Sequence, residues 1–454
     1  MTLASRRLRL LLAVLPLCLM AIAVQARESA ARCTGEDDVP AASASASAPP
    51  VAAPDASQPR LTLQTLVRRA VERSQGIGAA KLLAQAASAE VEQQQAAKLP
   101  QATLSGSFGP TYATAPDVPG ISGGQLRAGV NISALLYDGG QTDELTGWRR
   151  NLAEAARLGQ ISAEEQVALQ TVSLVLERSR YRMQARVYRQ YERSVACLVD
   201  ALRDIVAVDK GRASELVQAQ KTLQQVELSQ TDTASTLRQI EVRLRRFVGD
   251  TLPETEGMAS VLLATPTLDD VLAQASRSSD ITQLDAQAEA LDSYARSVDA
   301  SSKPQVTWNV GGSRAVGVGS SSSLGAGINV NVPLYAPTLR YAVDAAQKRA
   351  GAARLQRADA LEARRYRIAE VHEQAASAFD RARRIAAVVN DSELVRAATV
   401  EQWQRLGRRS LFDVMAAEGD HYALRLAYVN ALYDGEQGNA LLRSLGLGIA
   451  PWLE

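Results

Sequence analysis

Four stretches of the chain alternate residue by residue between apolar and small polar side chains. Ala102, Leu104, Gly106 and Phe108 alternate with Thr103, Ser105, Ser107 and Gly109. Leu126, Ala128, Val130, Ile132 and Ala134 alternate with Arg127, Gly129, Asn131 and Ser133. Val306, Trp308 and Val310 alternate with Thr307, Asn309 and Gly311. Leu324, Ala326, Ile328, Val330 and Val332 alternate with Gly325, Gly327, Asn329 and Asn331. A period of two puts successive side chains on opposite faces of a strand. The pattern therefore predicts strands over 101-112, 125-136, 304-314 and 323-334.

A soluble half-buried sheet alternates in the same way. Here, however, the polar faces carry Ser, Thr, Asn and Gly rather than Lys and Glu, as the wall of a water-filled barrel would. Runs of about 9–11 residues also suit tilted membrane strands. On this reading Leu126, Val130, Ile132, Trp308, Ile328 and Val330 face lipid. "PTYATAPDVPGISGG" and "SRAVGVGSSSS", between the paired strands, are expected as external loops. Four strands cannot close a membrane barrel, and an open edge in a bilayer leaves backbone groups unsatisfied at a cost of several kcal/mol each. The chain must then assemble symmetrically. Two copies would fill the lumen with side chains, whereas three leave a usable pore.

Elsewhere the apolar period is helical. Leu63, Leu66, Val67, Ala70 and Val71 share one stripe. A proline-free helical pattern runs from about Thr142 to Val208, on the order of 100 Å at the α-helical rise. Its counterpart runs from Pro337, suited to a first helical position, to about Leu406. After each long helix a shorter one returns, the first carrying Leu216, Ala219, Leu223 and Val226 and later Leu237, Ile240 and Leu244. The fold class is mainly α with transmembrane β: duplicated long helical hairpins plus four strands per chain.

The two halves are copies. "LTLQTLVRRAVERS" from Leu61 matches "PTLDDVLAQASRSS" from Pro266, and "LPQATLSGSFG" from Leu99 matches "KPQVTWNVGGS" from Lys303. "RAGVNISALLY" and "GAGINVNVPLY", "GRAS" and "GRRS", and "LRRFVG" and "LLRSLG" follow in the same order. The repeats occupy 61-250 and 266-447, joined by a linker at 251-265 and followed by a tail at 448-454. Ahead of them, Arg6, Arg7 and Arg9 precede an apolar run from Leu10 to Val24, and Val24-Gln25-Ala26 fits a cleavage site. Residues 1-26 thus read as a signal peptide, and 27-60, rich in Ala, Ser and Pro, as a disordered leader.

Composition narrows the function. With 50 basic and 49 acidic residues the chain has no bulk attraction to nucleic acid. Past the leader no stretch reaches about 18 consecutive apolar residues, so any membrane insertion must be as a barrel. His372 and His421 have no partner at metal or triad spacing and read as ordinary helix residues. Trp403 and Tyr422 read as packing residues, and Cys33 and Cys197 as unpaired thiols, although a disulfide is permitted. Carboxylates interspersed with Arg at helical spacing read as solvated faces. No catalytic residue, cofactor or metal site is expected.

"LPQATLSGS", "ALLYDGGQ" and above all "GRRSLFDVMAAEGDHYALRLAYVNALYD" resemble the TolC-like outer membrane efflux protein family, a similarity running from about Leu61 to Gly446. The resemblance implies a homotrimer with a twelve-stranded barrel in the outer membrane and a twelve-helix periplasmic tunnel. It also implies a periplasmic adaptor (membrane fusion) protein and an inner-membrane ATPase or proton-driven pump as partners. The family's adaptor-gripping helix tips transfer to Gly211, Arg212, Ala213 and Ser214, and to Gly407, Arg408, Arg409 and Ser410. The same residues also read simply as helix ends and caps. Tyr335-Ala336-Pro337 departs from Tyr137-Asp138-Gly139-Gly140 in the first repeat, and no Asp pair stands shortly before Gly407. Asp391 and Glu393 are the nearest candidates for a tunnel constriction. The expected function is a conduit for small toxic compounds or a type I secreted protein. The competing reading is a periplasmic coiled-coil adaptor or scaffold without a pore.

Overall fold

The computed structural model describes residues 57–115, 118–253, 261–406 and 408–453. The signal peptide, Cys18, Cys33 and the leader up to residue 56 lie outside the described residues. The first repeat comprises α1 (Ser57–Arg73), α2 (Gln75–Ala96), β1 (Gln101–Ala115), β2 (Val118–Tyr137), α3 (Gln141–Val208) and α4 (Ala213–Val248). The second comprises α5 (Leu268–Gln274), α6 (Ser279–Ala300), β3 (Gln305–Gly317), β4 (Ser321–Asn331), α7 (Pro337–Glu401) and α8 (Leu411–Leu445). A short α9 (Ile449–Leu453) follows. α1 begins at Ser57, inside the segment expected to be leader, and already buries Pro59.

The opening helix of each repeat is broken where one continuous helix was expected. Ser74 takes extended backbone and its hydroxyl accepts from the Ile77 amide at 3.4 Å, starting α2 afresh. In the second repeat α5 passes through a 3-10 turn, and Ser278 resets the backbone before α6.

The four strands form one antiparallel sheet in the order β1-β2-β3-β4. Both expected external loops are much shorter than the sequence suggested. β1 continues to Ala115 and β2 starts at Val118, so most of "PTYATAPDVPGISGG" is paired strand; Tyr112, for example, faces Ser122. β3 and β4 are separated by three residues, with Gly317 at φ 113, in the left-handed region that favours glycine. Gly, Ser and Pro content suggested turns, but cross-strand pairing overrode it. β4 ends at Asn331, short of the expected 334.

α3 is 68 residues long, about 100 Å. Its entry explains the difference between the two repeats. Gly139 and Gly140 have φ of 66 and 91, and Asp138 accepts from the amides of Gly140 at 3.0 Å and Thr142 at 2.6 Å. A Cβ on Gly139 would lie 2.5 Å from the Lys303 Cβ, so this turn requires glycine. α7 instead uses Pro337 in its first turn, where a missing amide costs nothing. At its far end α7 converts to a π-helix over Gln402–Leu406.

The principal core lies midway along the long helices. There Leu63, Leu66 and Ala70 of α1 meet Val172, Val175 and Leu176 of α3, Leu244 and Val248 of α4, and Tyr433 and Ala440 of α8. α9 closes this girdle: Ile449 and Leu453 are buried, and Glu165 accepts from the amides of Ile449 at 2.7 Å and Ala450 at 3.1 Å. α7 and α8 approach closely through glycine, since a Cβ on Gly438 would meet the Ala375 Cβ at 2.8 Å. α6 is pinned to α7 by Arg354–Asp292, Arg357–Asp285 and Arg364–Asp280. Buried Arg178 joins α3 to α4 by pairing with Glu241 at 3.0 Å. Cys197 is disulfide-bonded, contrary to the expectation of an unpaired thiol.

Candidate channel wall and helix tips

Register decides what the sheet presents. Directly paired residues of an antiparallel sheet point to the same side. Leu104 pairs with Val130, Ile132 with Val310, Ala134 with Trp308, Trp308 with Ile328, and Val306 with Val330. The apolar faces of all four strands thus merge into one. Leu126, Val130, Ile132, Ile328 and Val330 are exposed on it, and Trp308 is half-buried. Arg314 interrupts this face next to the β3–β4 turn, where it pairs with Ser322. The opposite face carries Thr103, Ser105, Arg127, Asn131, Asn309, Ser323 and Asn329. There Ser313 and Ser323 share a 2.8 Å hydrogen bond. Among the described residues β1 and β4 each pair on one side only.

The hairpin tips lie at the other end. Asp209 accepts from the Gly211 amide at 3.0 Å, and Arg212 of the short 3-10 turn pairs with Glu215 at 2.7 Å. Gly211, Ala213 and Ser214 are exposed. At the second tip Arg408, Arg409 and Ser410 are exposed, and Gly407 lies outside the described residues. Ser410 and Asp413 form a reciprocal capping box that starts α8. Next to the tips, Leu198 and Leu202 of α3, Ala219 of α4, Trp403 of the π-helix, and Leu411 and Val414 of α8 form a second apolar cluster. Trp403 and Tyr422 are both buried packing residues.

About two helical turns from the second tip is a polar cluster that single-helix patterns do not reveal. Glu418, 2% exposed, accepts from Arg396 of α7 at 3.0 Å and from the Ser194 hydroxyl of α3 at 2.9 Å. Arg396 also grips Glu393, whose carboxylate lies 3.2 Å from His421 Nε2, and Ser392 contacts His421 Nδ1 at 2.9 Å. Burial, reinforced by Arg396 and Arg425, lowers His421 to about 4 despite Glu393. Burial works to raise Glu393, but Arg396 outweighs it and holds the carboxyl below its ordinary value. His421 is thus a buried, hydrogen-bonded helix residue. Glu393 is engaged within the chain, while Asp391 is exposed. The clue was present as two i,i+3 pairs, Glu393/Arg396 and Glu418/His421, but only the packing of three helices joins them.

A sheet with one apolar and one polar face, carried on helices about 100 Å long, is the architecture expected of an outer-membrane channel-tunnel. Residues 66–250 match the outer membrane efflux protein family. That match covers the first repeat, and together with the fold it supports an outer-membrane efflux channel with a periplasmic helical tunnel.

Solved structures with the same fold include CusC, at 18% identity and a TM-score of 0.74 over 86% of this chain and 92% of that one. VceC of Vibrio cholerae is 18% identical, with a TM-score of 0.74 over 86% of this chain and 97% of VceC. The MtrE outer membrane channel of Neisseria gonorrhoeae, in its open state, is 14% identical, with a TM-score of 0.73 over 86% and 90%. No curated protein sequence matches the chain.

Proposed function

We propose that three copies of this chain close a twelve-stranded barrel, β1 of each pairing with β4 of the next, above a tunnel of long helices. The observation that carries this reading is the single apolar face running across four strands whose outer edges are both unpaired among the described residues. In lipid those edges must find partners, and an identical neighbour supplies them without new sequence. Leu126, Val130, Ile132, Trp308, Ile328 and Val330 then face acyl chains, and the Ser/Thr/Asn face lines water.

The tips, Gly211 to Ser214 and Gly407 to Ser410, receive a periplasmic adaptor that connects the tunnel to an inner-membrane pump. Of the two candidate carboxylates Asp391 and Glu393, the exposed Asp391 is the one we assign to a narrowing of the bore. The chain is a passive conduit, with energy coming from the pump, and its cargo is small toxic compounds or an unfolded secreted protein. Purified protein should run as a heat-modifiable trimer and form conducting pores in planar bilayers. A monomer extracted without detergent and silent in bilayers would instead favour a periplasmic scaffold.

A further inference from the structure

Among the described residues the four strands carry two formal charges, and both are arginines: Arg127 of β2 and Arg314 of β3. They stand at the same level of the sheet on opposite faces. Arg127 pairs with Ala315, and Arg314 pairs with the next residue, Ala128. Neighbouring positions on a strand point to opposite sides. Arg314 thus lies on the apolar face, and Arg127 on the face of Ser, Thr, Asn and Gly. Two equal charges sit in unlike surroundings, one among side chains suited to lipid and one on the polar wall.

Around Arg127 that wall is neutral. Ser107 and Ala315 stand opposite it on β1 and β3, and Gln125 and Gly129 flank it along its own strand. The Arg127 side chain is exposed. A guanidinium stays protonated at any physiological pH, so its charge is permanent. The ends of β2, Val118 and Tyr137, are nine and ten residues away, about 30 Å of strand. That is several screening lengths at physiological salt, so acids beyond the strand ends leave the local potential positive. The charge is not duplicated either. In the second repeat "GAGINVNVPLY" has Gly325 where "RAGVNISALLY" has Arg127, so each chain adds one.

We propose that Arg127 makes the barrel an anion-attracting exit: in a closed trimer three guanidiniums ring the bore at one level and favour the passage of organic anions, carboxylates and sulfonates among them. This rests on the conduit reading above and gives its small-molecule cargo a charge. Rotational symmetry puts the three groups at equal height. Rings of arginine or lysine favour anions, and a bore walled by low-dielectric protein concentrates solute of the opposite sign. The rest of the wall offers neutral hydrogen-bonding groups, which admit either sign. The ring therefore decides the preference of the barrel.

The test is the reversal potential of the full-length protein in planar bilayers between about 0.1 M and 0.01 M KCl, where screening lengths of about 10 and 30 Å let a wall charge reach across the bore. Arg127→Gln should lower chloride permeability relative to potassium at least about twofold, and Arg127→Glu should lower it further. Arg314→Gln removes the same charge at the same level from the lipid face and should keep wild-type selectivity. With sodium benzenesulfonate in place of KCl, Arg127→Gln should lower the permeability of the organic anion likewise. Identical reversal potentials for wild type, Arg127→Gln and Arg127→Glu in conducting channels would overturn the ring and leave the conduit intact, as would an equal shift from Arg314→Gln. A change for chloride without one for benzenesulfonate would overturn the cargo class. A wild-type protein that never conducts would overturn the conduit reading itself.

Discussion

Trp308 on β3 stands directly opposite Ile328 on β4 and pairs on its other side with Ala134 of β2. One indole thus sits at the centre of an apolar face that crosses three strands.

A charge placed there should be expensive. Ile328→Arg puts a guanidinium on the lipid face, at about 2–4 kcal/mol near the bilayer midplane. The fraction of heat-modifiable oligomer in outer-membrane extracts should fall. Asn329→Arg, one residue on and facing the other side, should assemble normally and change conductance instead.

Helix packing should be equally selective. Gly438→Leu drives a side chain into Ala375 and should lower thermal stability by at least 1–3 kcal/mol, the usual cost of overpacking. Gly351→Ala, where an added Cβ meets nothing within 4 Å, should stabilise α7 by up to about 1 kcal/mol. Thermal melts of the detergent-solubilised protein distinguish the two. Equal destabilisation by both would contradict the close approach of α7 and α8 at Gly438.

Glu436 gives a pH dependence. It is fully buried, neither carboxyl oxygen has a hydrogen-bond partner among the described residues, and burial raises its pKa to about 8. A carboxyl whose folded pKa is raised favours folding fully below its unfolded value near 4.3. That contribution is lost as pH rises through the folded value. The cost at pH 8 is on the order of a few kcal/mol. Glu436→Gln should flatten the stability profile between about pH 5 and 8, measured by thermal melts, and stabilise the protein at the upper end. A wild-type profile that is already flat there would show that Glu436 titrates normally.

Export should depend on the tips separately from the pore. Gly211→Glu and Arg408→Glu alter exposed tip residues far from the sheet. Cells carrying them should lose tolerance to the exported compound, or secretion, while the purified variants keep wild-type pore formation. Normal export with both variants would remove the tips from adaptor contact.

The local periods along the chain determined much of this architecture. Strict alternation marked four strands, and a proline-free 3.6 period marked the helices that became α3 and α7, because both signals depend only on neighbouring residues. The resemblance carried by "GRRSLFDVMAAEGDHYALRLAYVNALYD" added the family. The sequence did not reveal whether the four apolar faces coincide, since that follows from the pairing of Ala134 with Trp308 and Trp308 with Ile328. Nor did it reveal that the expected loops are mostly strand or that α9 docks on Glu165. Glu418 shows the limit most plainly: on its own helix it is one more carboxylate among arginines, and it becomes a buried junction only when α3 and α7 both reach it. Local periodicity selects the elements, whereas register, burial and the pairing of distant charges are properties of surfaces brought together, which tertiary structure alone decides.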